Sequence, residues 1–171
     1  MANILSQFFG IVFFVFVFAS MQTTDMKKTL FCQICCNVFG MLSYVFLGGL
    51  SGCGIYLVAA IQSLVLLLYR RSDKEVPKWV TALFFAAYLV CSLLTFRGAK
   101  DIVPLIAAIL CAVALIQKKT SHYRLVILLN GAMWILYDLF MGAYTMLASH
   151  ILTVASALSG IIRLDILTKN Q

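Results

Sequence analysis

Long apolar runs separated by short polar breaks make up almost the whole chain. Seven runs stand out: Ile4 to Met21, Leu30 to Leu47, Cys53 to Tyr69, Trp79 to Phe96, Ile102 to Gln117, Tyr123 to Met141, and Tyr144 to Leu164. Each approaches the roughly 20 residues that an α-helix needs to cross the hydrocarbon of a bilayer. Most breaks carry charge, such as Asp25-Met26-Lys27-Lys28 and Arg70-Arg71-Ser72-Asp73-Lys74-Glu75. The breaks after the second and sixth runs do not. Fusing either pair of runs would give a helix of about 40 residues and roughly 60 Å, twice the thickness of the hydrocarbon. A hairpin is therefore expected at both places, the first through Gly48-Gly49-Leu50-Ser51-Gly52. Pro77 precedes the fourth run, where a first helical turn tolerates proline. No basic residue precedes Ile4, unlike the positive start of a secretory signal, so the first run reads as a retained helix.

Composition removes the soluble alternative. The chain is 63% hydrophobic and 11% charged over 171 residues, against about 45–50% and about 25% in ordinary globular chains. The fold class expected is an all-α membrane protein of seven transmembrane helices. The net charge of +7 does not indicate nucleic acid, because the basic residues stand at the ends of runs. They sort by side instead. With seven crossings, one side holds Arg97 and Lys100. The other holds Lys27, Lys28, Arg70, Arg71, Lys74, Lys78, Lys118, Lys119, Arg124, Arg163 and Lys169. Positive charge marks the cytoplasmic side, which places the N-terminus outside and the C-terminus inside an inner (plasma) membrane. The six cysteines, including the Cys32 and Cys35 pair, all lie in apolar runs and read as small packing residues. Metallohydrolase, phosphate-loop and serine-elbow motifs are missing. The chain is expected not to be an enzyme and to hold no cofactor or metal. Its expected partners are membrane lipids and a small polar solute, with a homo-oligomer left open.

A displacement of 93 residues superposes several marked positions: Ile34 on Ile127, Asn37 on Asn130, Tyr44 on Tyr137, Gly49 on Gly142, Ser63 on Ser156 and Arg70 on Arg163. This suggests a repeat of three helices, with the fourth run as a linker. The domains expected are a first triple-helix bundle over 1–71, a linker with the fourth helix over 72–100, and a second bundle over 101–171. An odd linker restores the direction of the chain, so the two triplets are parallel repeats about an axis along the membrane normal.

Chemistry concentrates in the second triplet. Asn130, Trp134, Tyr137 and Asp138 share one helical face, matched in the first triplet by Asn37, Met41, Tyr44 and Val45. An ionisable group inside a membrane costs about 2.5–3.5 kcal/mol at the centre of a span. Asp138 therefore either reaches the outer headgroups or faces a partner or cavity, titrating a proton or binding a cation. His150 lies at similar depth beyond the tight turn. The pair reads either as a structural hydrogen bond or as a device linking protonation to opening. The two asparagines read either as interhelical glue or as pathway lining. Tyr137 and Trp134 read as pathway residues or headgroup anchors. The phenylalanines ringing the first run (Phe8, Phe9, Phe13, Phe14, Phe16, Phe18) suggest lipid contact.

The 3+1+3 plan resembles the SWEET and PQ-loop transporter superfamily. More closely, Asn130-Gly-Ala-Met-Trp134-Ile-Leu-Tyr137, with Gly142 and Ile161-Ile162-Arg163, resembles the YgjV family of bacterial inner-membrane proteins. The resemblance implies a central pathway between two triple-helix bundles. Trp134 matches a pocket tryptophan of sugar-transporting relatives, and their pocket asparagine falls on His150. The first-triplet counterparts are Met41 and Leu57. Pro104 resembles the bundle-opening proline of those relatives, and the Pro-Gln pair is absent. The function expected is a small-molecule transporter or facilitator with Asn37, Tyr44, Asn130, Trp134, Tyr137, Asp138 and His150 as substrate-binding residues. The competing expectation is a structural or partner-binding membrane protein of the same fold.

Overall fold

The computed structural model describes residues 2–22, 26–115 and 120–161. Seven α-helices fill them: α1 (Ala2–Gln22), α2 (Met26–Phe46), α3 (Leu50–Arg71), α4 (Lys78–Thr95), α5 (Ile102–Leu115), α6 (Thr120–Met141) and α7 (Tyr144–Gly160). A 3-10 turn, Ala99–Asp101, leads into α5. Gln117, Lys118, Lys119, Arg163, Leu164 and Lys169 lie outside the described residues.

The helices overrun the apolar runs where polar residues begin. α2 starts at Met26 rather than Leu30, and α3 starts at Leu50, inside the expected turn. A backbone near lipid must satisfy its own hydrogen bonds, and Lys27 and Lys28 extend their heads away while their stems stay helical. Lys27 lies 3.9 Å from Asp73, which puts the α2 start and the α3 end on one side, in agreement with the charge sorting of those residues. Three helices satisfy length and hydropathy for a span by themselves: Ala2–Ser20, Leu50–Arg71 and Lys78–Thr95. α2, α6 and α7 hold shorter apolar stretches, Leu30–Phe46, Leu128–Met141 and Tyr144–Ala155, and the bundle buries Asn37, Asp138 and His150 within them.

That burial inverts a soluble protein. Asn37, Gln62, Asp138, Ser149 and His150 are inside, while Leu93, Leu94, Trp79 and Ile4 face outward. Within each triplet the middle helix holds its neighbours, α1 and α3 on α2, then α5 and α7 on α6. α4 packs on α3 and α5. The first triplet meets the second through α1 with α7 and α3 with α5.

Two hairpins fix the geometry near the site. α2 turns into α3 through Gly48 at φ +70°, and α6 turns into α7 through Gly142 at φ +68°. Each glycine sits in the left-handed region that closes a helix. The next amide donates five residues back, Gly49 N to Tyr44 O at 2.9 Å and Ala143 N to Asp138 O at 3.0 Å. This is the Schellman closure. Alanine at either glycine should cost about 1–2 kcal/mol, read as a lowered unfolding midpoint in detergent.

The two hairpins are spaced by 94 residues, not 93. The same spacing recurs in the hydrogen bonds of Tyr44 to Asp138 and Tyr56 to His150. Inside each triplet, Cys36 Sγ donates to Phe13 O at 3.9 Å, and Asn130 Nδ2 donates to Ala107 O at 2.6 Å. Both bonds span 23 residues. A displacement of 93 differs from that spacing by one residue, which turns a helix by about 100°. At a displacement of 94, Asn37 falls on Gly131 and Tyr44 on Asp138.

The phenylalanines of α1 also divide differently from expectation. Phe8 and Phe18 face outward. Phe9 stacks on Phe39 and Phe46 of α2, and Phe16 on Phe39. Phe13 is buried against Tyr56 and His150. Pro104 lies in the first turn of α5, where no intrahelical hydrogen bond is lost, so it does not kink the helix.

Candidate functional site

The i, i+4 and i+7/i+8 spacing on α6 turns Trp134, Tyr137 and Asp138 toward the other triplet. All three are buried, and Tyr137 and Asp138 have no exposed surface. Asp138 does not reach the headgroups. The Gly142 turn folds α7 back so that His150 lies beside it, with Nδ1 at 2.6 Å from Asp138 Oδ2. With the carboxylate ionised, Nδ1–H is the donor and the acid fixes the ring tautomer. The Tyr44 hydroxyl, from the last turn of α2, donates to Asp138 Oδ1. Tyr56, from α3, closes the chain with its hydroxyl 3.2 Å from His150 Nε2. The sequence of contacts is thus Tyr44, Asp138, His150, Tyr56, with both ends from the first triplet and the middle from the second.

Aromatic rings seal this chain. The Trp134 indole stacks on the His150 ring at 5.7 Å and 16°. It meets Tyr56 at 4.9 Å and Tyr44 at 6.1 Å. Tyr44 and Tyr137 lie 5.2 Å apart. The Tyr137 hydroxyl accepts from the Gly52 amide at 3.2 Å. Beside the chain, Gln7 of α1 ties the α6–α7 turn. Its Nε2 donates to Gly142 O at 3.0 Å, and its Oε1 accepts from Thr145 N and Thr145 Oγ1. The bonds of Gln7, Tyr44, Gly52 and Tyr56 to the second triplet all lie at one end, where α2 passes into α3 and α6 into α7.

The asparagines do not join this site. Asn37 Nδ2 donates to Ser63 Oγ at 3.2 Å, and Asn130 bonds to Ala107 O. Each ties neighbours within its own triplet, the glue alternative, since a buried amide needs a partner. Met41, matched to Trp134, is half-buried. Val45 and Leu57 face outward.

Tyr56 and Gln7 escaped the sequence reading. Counting at 93 put Leu57 opposite His150 and drew attention one residue too far. A signal was present: Gly52, Tyr56, Gln62 and Ser63 lie on the one buried stripe of α3. Two surface concavities are formed elsewhere, one against Asn3, Ile4, Gln7, Phe8 and Ile11, the other against Arg70, Asp73, Lys74, Glu75 and Val76. Neither is lined by Asp138 or His150.

Tyr44→Phe keeps the ring and removes only the hydroxyl. Polar contacts between helices in bilayers average about 0.6 kcal/mol and reach about 1.7 kcal/mol. A bond to a carboxylate belongs at the upper end, to be read by denaturant titration in mixed micelles.

The comparison with known families bears on this architecture directly. Residues 4–167 match Imp-YgjV, described as a bacterial inner membrane protein family. The chain belongs to the Imp-YgjV family. No curated protein and no solved structure matches it. Imp-YgjV membership accounts for the apolar surface and buried polar groups, because the family resides in the inner membrane and the match runs from α1 through α7.

Proposed function

We propose that this Imp-YgjV protein is a small-molecule transporter or facilitator of the inner membrane, with its pathway between two parallel triple-helix bundles. The bundles are 1–71 and 101–171, and α4 is the linker that restores direction. The 11-to-2 division of basic residues supports an N-terminus outside and a C-terminus in the cytoplasm. The recurrent spacing of 94 supports the repeat. When equivalent positions, Tyr44 with Asp138 and Tyr56 with His150, touch each other, an approximate two-fold axis between the bundles is the simplest geometry.

One observation carries the transport reading. A carboxylate and a histidine lie buried within transmembrane helices, at the seam between the two halves, held by hydroxyls from the opposite half. Intramembrane ionisable groups are expensive and are retained for translocation or coupling. The seam is also the surface along which two bundles rock in alternating access. In this conformation the end formed by the two glycine hairpins is closed.

The second reading is a structural or partner-binding membrane protein. It is favoured by the filled centre, where Tyr44, Tyr137 and Met146 have no exposed surface, and by the asparagines held within their triplets. A thermal-shift screen of the purified protein against polar metabolites separates the two. A ligand at 100 times its Kd adds about 2.7 kcal/mol, so a transported solute should raise the midpoint clearly. The rise should shrink in Trp134→Phe or Tyr56→Phe. A flat response across the library favours the second reading.

A further inference from the structure

We propose that the Asp138–His150 pair is a proton-binding site, and that loading it releases the hairpin end of the bundle. Its use in coupling rests on the transporter reading, whereas proton binding and release are measurable without any solute.

The donor inventory carries the argument. Ionised Asp138 accepts from two donors, the Tyr44 hydroxyl on Oδ1 and His150 Nδ1–H on Oδ2. With its one ring proton on Nδ1, neutral His150 presents the lone pair of Nε2 to the Tyr56 hydroxyl, which donates. All bonds are then satisfied, and the pair carries one net negative charge in a sealed, aromatic surround. Among the described residues, no lysine or arginine bonds to Asp138, whose partners are Tyr44 and His150. The titratable groups on the pair are Tyr44 of α2 and Tyr56 of α3, both hydrogen-bonded to it; Cys36 of α2 and Cys111 of α5 lie near Tyr56, and Tyr137 of α6 lies against Tyr44, with Asp101 near Tyr137. From α1 the facing group is the apolar ring of Phe13. The tyrosines answer the charge with hydroxyl dipoles alone.

One proton from solution, added to the Nε2 lone pair, neutralises the site without breaking a covalent bond. It has a structural consequence. Nε2–H is now a donor, so the Tyr56 hydroxyl must turn and accept, and its own proton loses its acceptor. The carboxylate, compensated by the imidazolium, pulls less on Tyr44. Both hydroxyls that weaken are the ones reaching across from the first triplet. They lie beside Gln7 and Gly52, the other cross-bundle contacts at this end. Acid therefore loosens the hairpin end, and neutral to alkaline pH holds it shut.

The tryptophans provide a probe. The chain has two, Trp79 and Trp134. Trp79 is exposed and can be removed by Trp79→Phe, leaving Trp134 stacked on His150 as the sole indole. An imidazolium quenches a stacked indole more strongly than neutral imidazole. In liposomes, Trp134 emission of the Trp79→Phe protein should fall on acidification as a one-proton titration. Deuterium uptake over 137–150, corrected for intrinsic exchange rate, should rise over the same pH range. His150→Gln should abolish the titration, Asp138→Asn should move its midpoint, and Tyr56→Phe should retain the titration but raise uptake at neutral pH. Tyr56→Phe preserves ring packing and covers the case in which His150→Gln fails to fold. Emission independent of pH, or a titration that survives in His150→Gln, overturns the proton site. A titration with unchanged uptake overturns the release. If titration and release both hold while no metabolite binds, the transporter reading fails and the proton site stands.

Discussion

His150→Ala should destabilise the folded bundle by about 3 kcal/mol or more, the range for stranding a buried charged acceptor. The reason is the carboxylate left behind. Asp138 has no exposed surface, and without Nδ1–H its Oδ2 has no donor. Tyr44 still serves Oδ1, but one hydroxyl does not solvate a carboxylate at a seam of aromatic rings. Asp138→Ala should cost less, because a stranded neutral donor is penalised less than a stranded charge. The order of the two single variants is thus predicted, and so is the double. Asp138→Leu with His150→Leu removes the charge and its partner together, which is often neutral or stabilising. The double should lie closer to the wild type than His150→Leu alone. Unfolding in mixed micelles supplies all of these values. Additive effects within about 0.5 kcal/mol would mean that the pair is not coupled.

Trp134→Ala should cost about 3–5 kcal/mol, the usual penalty for emptying a large aromatic site. Lipid removes most hydrophobic drive between helices, so packing itself holds the bundle. Trp134 touches rings from α2, α3, α6 and α7. Losing the indole opens a void where four helices converge. Trp134→Phe refills much of it and should recover more than half of the loss. Near-UV circular dichroism during unfolding measures both. A near-neutral Trp134→Ala would show that the rings do not bear on one another as described.

Much of the architecture was readable in the residues. Apolar runs of spanning length and charged breaks are local properties, so the helices follow from backbone satisfaction in lipid. The glycine hairpins followed from the length limit on a single span. The depth argument also brought Asp138 and His150 together, because a tight turn constrains both helices. The spacing of 94 between the contacting residues was not readable. Six identities favoured 93, but side-chain identity is a poor guide when equivalent positions carry different chemistry. At the spacing of 94, tyrosine stands opposite aspartate and tyrosine opposite histidine.

That one-residue difference marks the boundary between the two sources of information. The sequence by itself determined a helical membrane chain, its breaks, its family and the rarity of Asp138, because these depend on hydropathy along one dimension. Only the tertiary structure decided which faces meet. It turned Tyr56 inward and Leu57 outward, held Asn37 and Asn130 within their own triplets, and placed two tyrosines of one half on the acid and base of the other. The physical reason is rotational. A helix in lipid is apolar on nearly every side, so hydropathy leaves its rotation undetermined, and packing and hydrogen bonds with neighbours fix it.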